Sequence, residues 1–168
     1  MREIHTLWVD GTLSDLERVC LASFVYHGHK VVLHTYNLEI NSPAGVEIRD
    51  ASPMWRDLST APKYPNGSWA LFSDYIRWCI LQQNPGAIWI DADMLCLKPF
   101  DFESDHVYAW QDSDTVAIGV VALPSDSPIL VELQDQVLHP HKERPYDSVE
   151  VKKWKFYRRK FLPRRYRN

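Results

Sequence analysis

Between residues 4 and 36 the hydrophobic pattern switches from a period of two to a helical period and back. No other feature constrains the fold as much. Ile4–Val9 alternates and is rich in β-forming side chains, so it reads as a strand. Ser14-Asp15-Leu16-Glu17 has the form of a capping box, with Ser14 placed to cap a helix and Glu17 to reach back to it. The helix runs through Val19, Ala22, Ser23 and Tyr26 and stops at Gly28. Val31–Tyr36 then reads as a second strand. Strand, helix and strand in so short a span form a βαβ unit, which favours a parallel sheet.

The rest of the chain extends that sheet. Val46–Arg49 reads as a third, short strand. Residues 50–67 carry Pro53, Pro62, Pro65, Asn66 and Gly67 and read as a long irregular loop, a kind of segment usually kept for function. From Ser68 to Gln83, the residues Leu71, Phe72, Tyr75, Ile76, Cys79 and Ile80 recur at helical spacing, and Asn84-Pro85-Gly86 ends that helix. Ala87–Ile90 is continuously apolar, as in a central strand buried on both faces. Val107–Gln111 and Ile118–Leu123 read as further strands, and a helix begins at Pro128 and runs to about Val137. The expectation is an α/β fold with a mostly parallel central sheet flanked by helices, a ligand-binding domain over residues 1–138, and a basic tail or linker over 139–168.

Charge separates those two parts. The net charge is −3, but nine of the 19 basic residues lie between Lys152 and Asn168, where there is no Asp or Glu. Residues 1–151 therefore carry a net charge of −12. Basic tails usually meet phosphates. Trp154, Tyr157 and Phe161 fall at i, i+3 and i+7 among the tail's charges. That is the pattern of an interfacial helix on an anionic membrane, and a solvated linker is the equal alternative. No apolar run approaches the ~20 residues that a spanning helix needs. The start goes straight into a strand with no signal-peptide core. Cys20, Cys79 and Cys96 lack metal-site spacing and read as reduced thiols, so the expected location is cytoplasmic, peripheral at the inner face of a membrane if the tail binds there. Among the seven histidines no ligand cluster stands out; His27 and His29 flank the helix-stop glycine and are expected at the surface.

The chemistry gathers around Asp91-Ala92-Asp93, at the carboxyl end of the apolar strand, where open α/β sheets bind ligands. In extended geometry both carboxylates point the same way. Two hard oxygen donors suit Mg²⁺ or Mn²⁺, with other positions left for water or a diphosphate; the bland alternative is a solvated turn. Asp74 and Arg77, at i and i+3, share a helix face and are either a surface ion pair or a hydrogen-bonding fork for sugar hydroxyls. Trp8, near the end of the first strand, is equally core packing or a platform for a nucleobase.

The strings Trp69-Ala70-Leu71-Phe72-Ser73-Asp74-Tyr75-Ile76-Arg77 and Ile88-Trp89-Ile90-Asp91-Ala92-Asp93-Met94-Leu95-Cys96-Leu97-Lys98-Pro99-Phe100 resemble the DXD-containing sugar-binding glycosyltransferases of the family 32 type. Ile4-His5-Thr6-Leu7-Trp8-Val9-Asp10-Gly11 looks like their opening strand, and the resemblance runs in order over residues 4–137. It implies a GT-A-type nucleotide-binding half-fold, a nucleotide-sugar donor, a divalent cation (Mn²⁺ or Mg²⁺) and transfer with retention. By that resemblance Trp8, with Leu7 beside it, holds the donor base; Ser73, Asp74 and Arg77 hold the donor sugar; Asp91 contacts ribose and metal-bound water; and Asp93 binds the metal. It implies a UDP-sugar in preference to a GDP-sugar, a glycan or lipid-linked acceptor, and no nucleic acid partner. Family members carry a pair of Asn where this chain has Ala117 and Ile118, and they continue well beyond His139, so the chain is read as a truncated, naturally short or degenerate member, or as half of a functional unit.

Two other readings compete. HAD-type phosphatases also end an apolar strand in Asp-x-Asp, but they want Thr or Val where Leu95 stands. A nucleotide-sugar-binding module without turnover would share every residue named above.

Overall fold

The computed structural model describes residues 1–161, with the side chains of residues 1–157. The elements in order are β1 (Ile4–Trp8), α1 (Asp15–Tyr26), β2 (Val31–Thr35), β3 (Val46–Asp50), a 3₁₀ turn (Leu58–Thr60), α2 (Ala70–Gln83), β4 (Ile88–Ile90), β5 (Val107–Trp110), β6 (Val116–Ala122), α3 (Pro128–Leu138) and α4 (Val149–Phe161). The six strands make one sheet in the order β3-β2-β1-β4-β6-β5. β3, β2, β1 and β4 pair in parallel; β6 is antiparallel to both β4 and β5. The chain is thus mixed α/β, with a mostly parallel central sheet flanked by helices.

Local chemistry accounts for the first unit. The Ser14 hydroxyl accepts the Leu16 N–H at 3.2 Å, and the Glu17 carboxylate accepts the Ser14 N–H at 2.8 Å, so α1 starts on a closed capping box. It ends where Gly28 takes φ +83°, a left-handed conformation that costs side-chain-bearing residues energy. The sheet is covered on both faces. Ile4, Leu21, Phe24, Val31, Leu33, Ile88 and Ile90 form one core with α1. Leu7, Phe72, Ile76, Ile80, Trp89, Val121 and Leu130 form the other with α2 and α3. In β4, Ile88 and Ile90 point into the first core and Trp89 into the second, which is why that strand is apolar throughout.

Several details differ from the sequence reading. α2 begins at Ala70, because the Ser68 hydroxyl accepts the Ala70 N–H at 3.2 Å from outside the helix. β6 begins at Val116, where it pairs with Trp110. His29 is buried, not surface: its Nε2 accepts the Phe100 N–H at 2.9 Å and its ring packs against Phe24 and Phe100, fastening the loop after β4 to the end of α1. All three cysteines are buried free thiols. Residues 149–161 of the tail region are helical, while Arg164, Arg165 and Arg167 lie outside the described residues. Among the described residues no helix is long and apolar enough to cross a membrane.

The topology decides where a ligand can enter. After β1 the chain moves to β2 and β3 on one side, then returns to place β4 on the other side of β1. The carboxyl ends of β1 and β4 therefore flank a switch point, the place where connecting segments diverge and leave a crevice.

Candidate functional site

A cleft of about 470 Å³ opens at that switch point. β1 and the residues after it contribute Thr6, Leu7, Trp8, Val9 and Asp10; the start of α2 contributes Ser68, Trp69, Ala70, Ser73, Asp74 and Arg77; β4 and its turn contribute Trp89, Asp91, Ala92 and Asp93; β6 contributes Ile118. All seven residues singled out from the sequence (Leu7, Trp8, Ser73, Asp74, Arg77, Asp91 and Asp93) meet here.

Arg77 organises the floor. It is only 3% exposed, and its guanidinium donates to Asp74 Oδ1 at 2.9 Å and to Asp91 Oδ1 at 2.7 Å. The Trp89 indole N–H donates to the same Asp91 Oδ1 at 2.9 Å, and Arg77 also lies over the Trp89 ring. The pairing of Asp74 with Arg77 is therefore not the exposed ion pair of the bland reading. It is one arm of a bridge that ties α2 to the end of β4. Burial pushes the Asp74 carboxyl above its ordinary value; Arg77 pulls it down and Asp91 pushes it further up.

Asp91 still pairs with β6 through its N–H, but the strand does not continue to Asp93. The Met94 N–H donates to the Asp91 carbonyl at 3.0 Å, so Asp91 to Met94 close a tight turn with Ala92 and Asp93 at its centre. Asp is favoured at the first position of such a turn, and that preference competes with continuing the strand. Both carboxylates still line the cleft. Oδ1 of Asp91 is held by Arg77 and Trp89, while Oδ2 lies against Gly119 of β6, where an added Cβ would sit 3.2 Å from it. Asp93 is exposed.

The cleft is acidic: Asp10, Asp74, Asp91 and Asp93 face one cation, Arg77. Among the described residues no three or more His, Cys, Asp or Glu side chains gather as a metal cluster. Of the four carboxylates, Asp91 and Asp93 lie together in the turn after β4. Two hard oxygens do not cage a cation, but they fit Mg²⁺ or Mn²⁺ shared with phosphate oxygens and water.

Trp8 is half-buried: it packs against the core on one side of the sheet and also lines the cleft, so the two readings of it are compatible. Its indole N–H and the Thr6 hydroxyl are buried without a hydrogen-bond partner. Buried polar groups are rarely left so, and two on one wall suit a ligand that supplies acceptors.

Sequence reasoning misses Thr6, Trp89 and Gly119 as parts of the site. The signals exist. Trp89 and Asp91 are two apart at a strand end, which puts them on one side. A lone glycine inside a strand, as at Gly119, marks a close approach. Trp69 enters the sequence reading only within a matching string; it stands before α2 with Lys63 Nζ 3.4 Å above its ring.

Compared with known proteins, the chain matches no protein-family model and no curated protein, so the functional reading rests on the cleft itself.

Proposed function

We propose that the cleft binds a nucleotide-sugar together with a divalent cation, and that the protein is a GT-A-type, retaining glycosyltransferase acting on a glycan or lipid-linked acceptor. The observation that carries this reading is the convergence of Trp8, the Asp74–Arg77–Asp91 bridge and Asp93 on one acidic cleft at a sheet switch point. An anionic diphosphate would be repelled by these carboxylates alone, so the acidity itself asks for a cation. Asp91, through Oδ2, and Asp93 would hold Mn²⁺ or Mg²⁺, which when bound supplies positive charge against the charge developing on a leaving diphosphate.

The chain's own groups have distinct tasks. The Trp8 ring, with Leu7 beside it, offers an apolar platform for the base, for which the family resemblance implies a UDP-sugar in preference to a GDP-sugar. Ser73 and Asp74 present oxygens to sugar hydroxyls. Arg77 holds one oxygen of each carboxylate by a hydrogen bond and so positions both in the cleft. No side chain is assigned as nucleophile. Three buried free cysteines support a reducing, cytoplasmic setting.

A second reading, a nucleotide-sugar-binding module without turnover, is favoured by one observation. The guanidinium of Arg77 and one oxygen of Asp91 are already committed to each other, leaving fewer groups free to act on an acceptor.

Calorimetric titration with UDP- and GDP-sugars, with Mn²⁺ and with chelator, tests the common core of both readings. Binding that needs Mn²⁺ and disappears in Asp93→Ala, with unchanged thermal stability, is expected, because Asp93 is an exposed turn residue and not a core group. Unaltered Mn²⁺-dependent binding in that variant removes the site. Release of nucleoside diphosphate in the presence of acceptor glycans then separates the transferase from the binding module.

A further inference from the structure

β5 ends the sheet. It lies last in the strand order, so among the described residues only β6 pairs with it, and its outer edge is open. Its faces are open as well. Only Val107 of β5 is buried; Tyr108, Ala109 and Trp110 are exposed, Trp110 at 66%. Just before the strand, Phe102, Glu103, Ser104 and His106 border a groove of about 370 Å³ together with Val107 and Tyr108. The segment that shapes the groove is tied down. Arg2 donates to the Ser104 carbonyl at 2.8 Å and to the Gly86 carbonyl at 2.6 Å, which fastens it to the turn before β4. The Phe102 ring packs on Phe100, with centroids 5.1 Å apart.

An open edge is a liability, and proteins blunt one with a short strand, a bulge or charges. β5 has four residues and an irregular register between Val107 and Ala109, so part of that protection is present. It is incomplete in two respects. Tyr108 and Trp110 stand exposed on the edge strand itself, and such side chains are enriched where proteins meet. The charges are also of one sign: residues 101–115 contain Asp101, Glu103, Asp105, Asp112 and Asp114 and no Lys or Arg. A surface of that kind repels a second copy of itself and attracts a basic one. A basic segment in extended conformation would offer N–H and C=O groups to the open edge and cations to the acidic rim. Its alternate apolar side chains would meet Tyr108, Trp110 and the groove. No residue that borders the groove lines the cleft.

We propose that β5 and the groove before it dock an extended, basic segment of a partner protein, which adds to the sheet as a further strand. The probe is a peptide of about seven alternating Lys and Val residues, titrated into the full chain by calorimetry and followed by backbone amide NMR. Saturable binding is expected, with shifts centred on Tyr108, Ala109 and Trp110, weakening about tenfold as salt is raised from ~0.05 to ~0.3 M. A Lys–Pro peptide keeps the charge but lacks half of the N–H donors, and should bind at least about tenfold more weakly. A Glu–Val peptide should not bind. Tyr108→Ser with Trp110→Ser should weaken binding about tenfold with the charge unchanged. Glu103→Gln with Asp105→Asn and Asp114→Asn should weaken it to a similar extent, and it leaves Asp112, whose carboxylate accepts the Asp114 and Thr115 N–H groups, to hold the hairpin turn. Thermal melts matching the parent show that the variants fold. The docking surface is overturned by no binding below ~1 mM peptide, by amide shifts confined to other residues, or by an unaffected aromatic variant. Equal binding of the Lys–Pro peptide would also overturn it, leaving only attraction to an acidic body. Self-association of the chain that the Tyr108 and Trp110 substitutions abolish would overturn it too and assign the edge to a second copy.

Discussion

Two polar clusters sit beside the same apolar sheet and solve burial in opposite ways. At the end of β4, the buried guanidinium of Arg77 is paired with two carboxylates, and Trp89 helps hold one of them. Between β1 and β2, His5 and His34 are 0% and 3% exposed, with His5 Nδ1 3.0 Å from His34 Nε2 and His5 Nε2 3.3 Å from a Glu3 oxygen. A carboxylate can only accept, so Nε2–H of His5 donates to Glu3 and Nδ1 accepts from His34. That leaves His34 Nδ1 buried without a partner. Burial, then the neighbouring His5, pushes His34 down to about 3, and burial likewise lowers His5 despite Glu3. The first cluster keeps charge where the sheet opens to a cleft. The second excludes charge where the sheet is closed. The difference teaches that the fold tolerates buried ions only where solvent or a ligand can share them.

The largest expected effect breaks the charged cluster. Arg77→Met keeps much of the side chain's length but leaves Asp74 and Asp91 facing each other without a cation. Losing one partner of a buried ionic group costs about 3–5 kcal/mol. Asp74 and Asp91 are 28% and 37% exposed, so partial hydration moves the expectation to the lower end. Chemical denaturation at pH 7 measures it. A loss under about 1 kcal/mol would mean that the bridge is no more than a surface pair.

How far each cluster can be read from the chain depends on what connects its members. β1, α1 and β2 are legible because Ser14, Glu17 and Gly28 are local signals that act within one turn. Asp91 and Asp93 are legible because a strand of Ile88, Trp89 and Ile90 has to end somewhere, and sheets bind ligands at such ends. The turn at Asp91 is not, because the preference of Asp for turns and the extended geometry of the strand compete on equal local terms. The i, i+3 spacing of Asp74 and Arg77 shows that they are neighbours, but the face of α2 that packs on the sheet depends on tertiary contacts. The burial of Arg77 against Asp91, 14 residues away, is therefore hidden. The histidine pair is further out of reach. His5 and His34 meet only because Ile4 registers with Val31, and no residue near either one announces that alignment.

The second effect sharpens the comparison through pH. His34 and His5 have folded values below the ordinary 6.5. As pH falls through the unfolded value, the unfolded chain takes up protons that the folded chain refuses. Stability is thus full above about pH 7 and is lost as pH falls toward the folded value of about 3 for His34. Each such histidine contributes a slope of up to about 1.4 kcal/mol per pH unit within its window. The charged neighbours of the pair, Glu3, Glu47 and Arg49, partly offset one another. Urea midpoints measured from pH 7.5 to 4.5 should fall steadily in the parent and more gently in His34→Asn. Parallel curves would show that the pair does not govern acid stability.

The smallest expected effect is Asp74→Asn, and it has the opposite sign in pH. Burial raises the folded value of Asp74 above the ordinary 3.8. The folded chain thus holds that proton more readily than the unfolded chain, so this group favours folding at low pH and loses that contribution as pH rises through its raised value. Its charged form at pH 7 is a compromise: desolvation opposes it, Arg77 supports it, and Asp91 opposes it. Asparagine removes the charge but keeps an oxygen that can accept from Arg77. The expected change in stability at pH 7 is within about 1 kcal/mol, far less than for Arg77→Met. Binding separates the roles more clearly. If Asp74 presents an oxygen to a sugar hydroxyl, the variant should lose nucleotide-sugar affinity, by about 1–3 kcal/mol, while keeping its affinity for the free nucleoside diphosphate. Equal losses for both ligands would make Asp74 a support for Arg77 alone. The cleft cluster would then resemble the histidine pair, a structural element with no contact to a ligand.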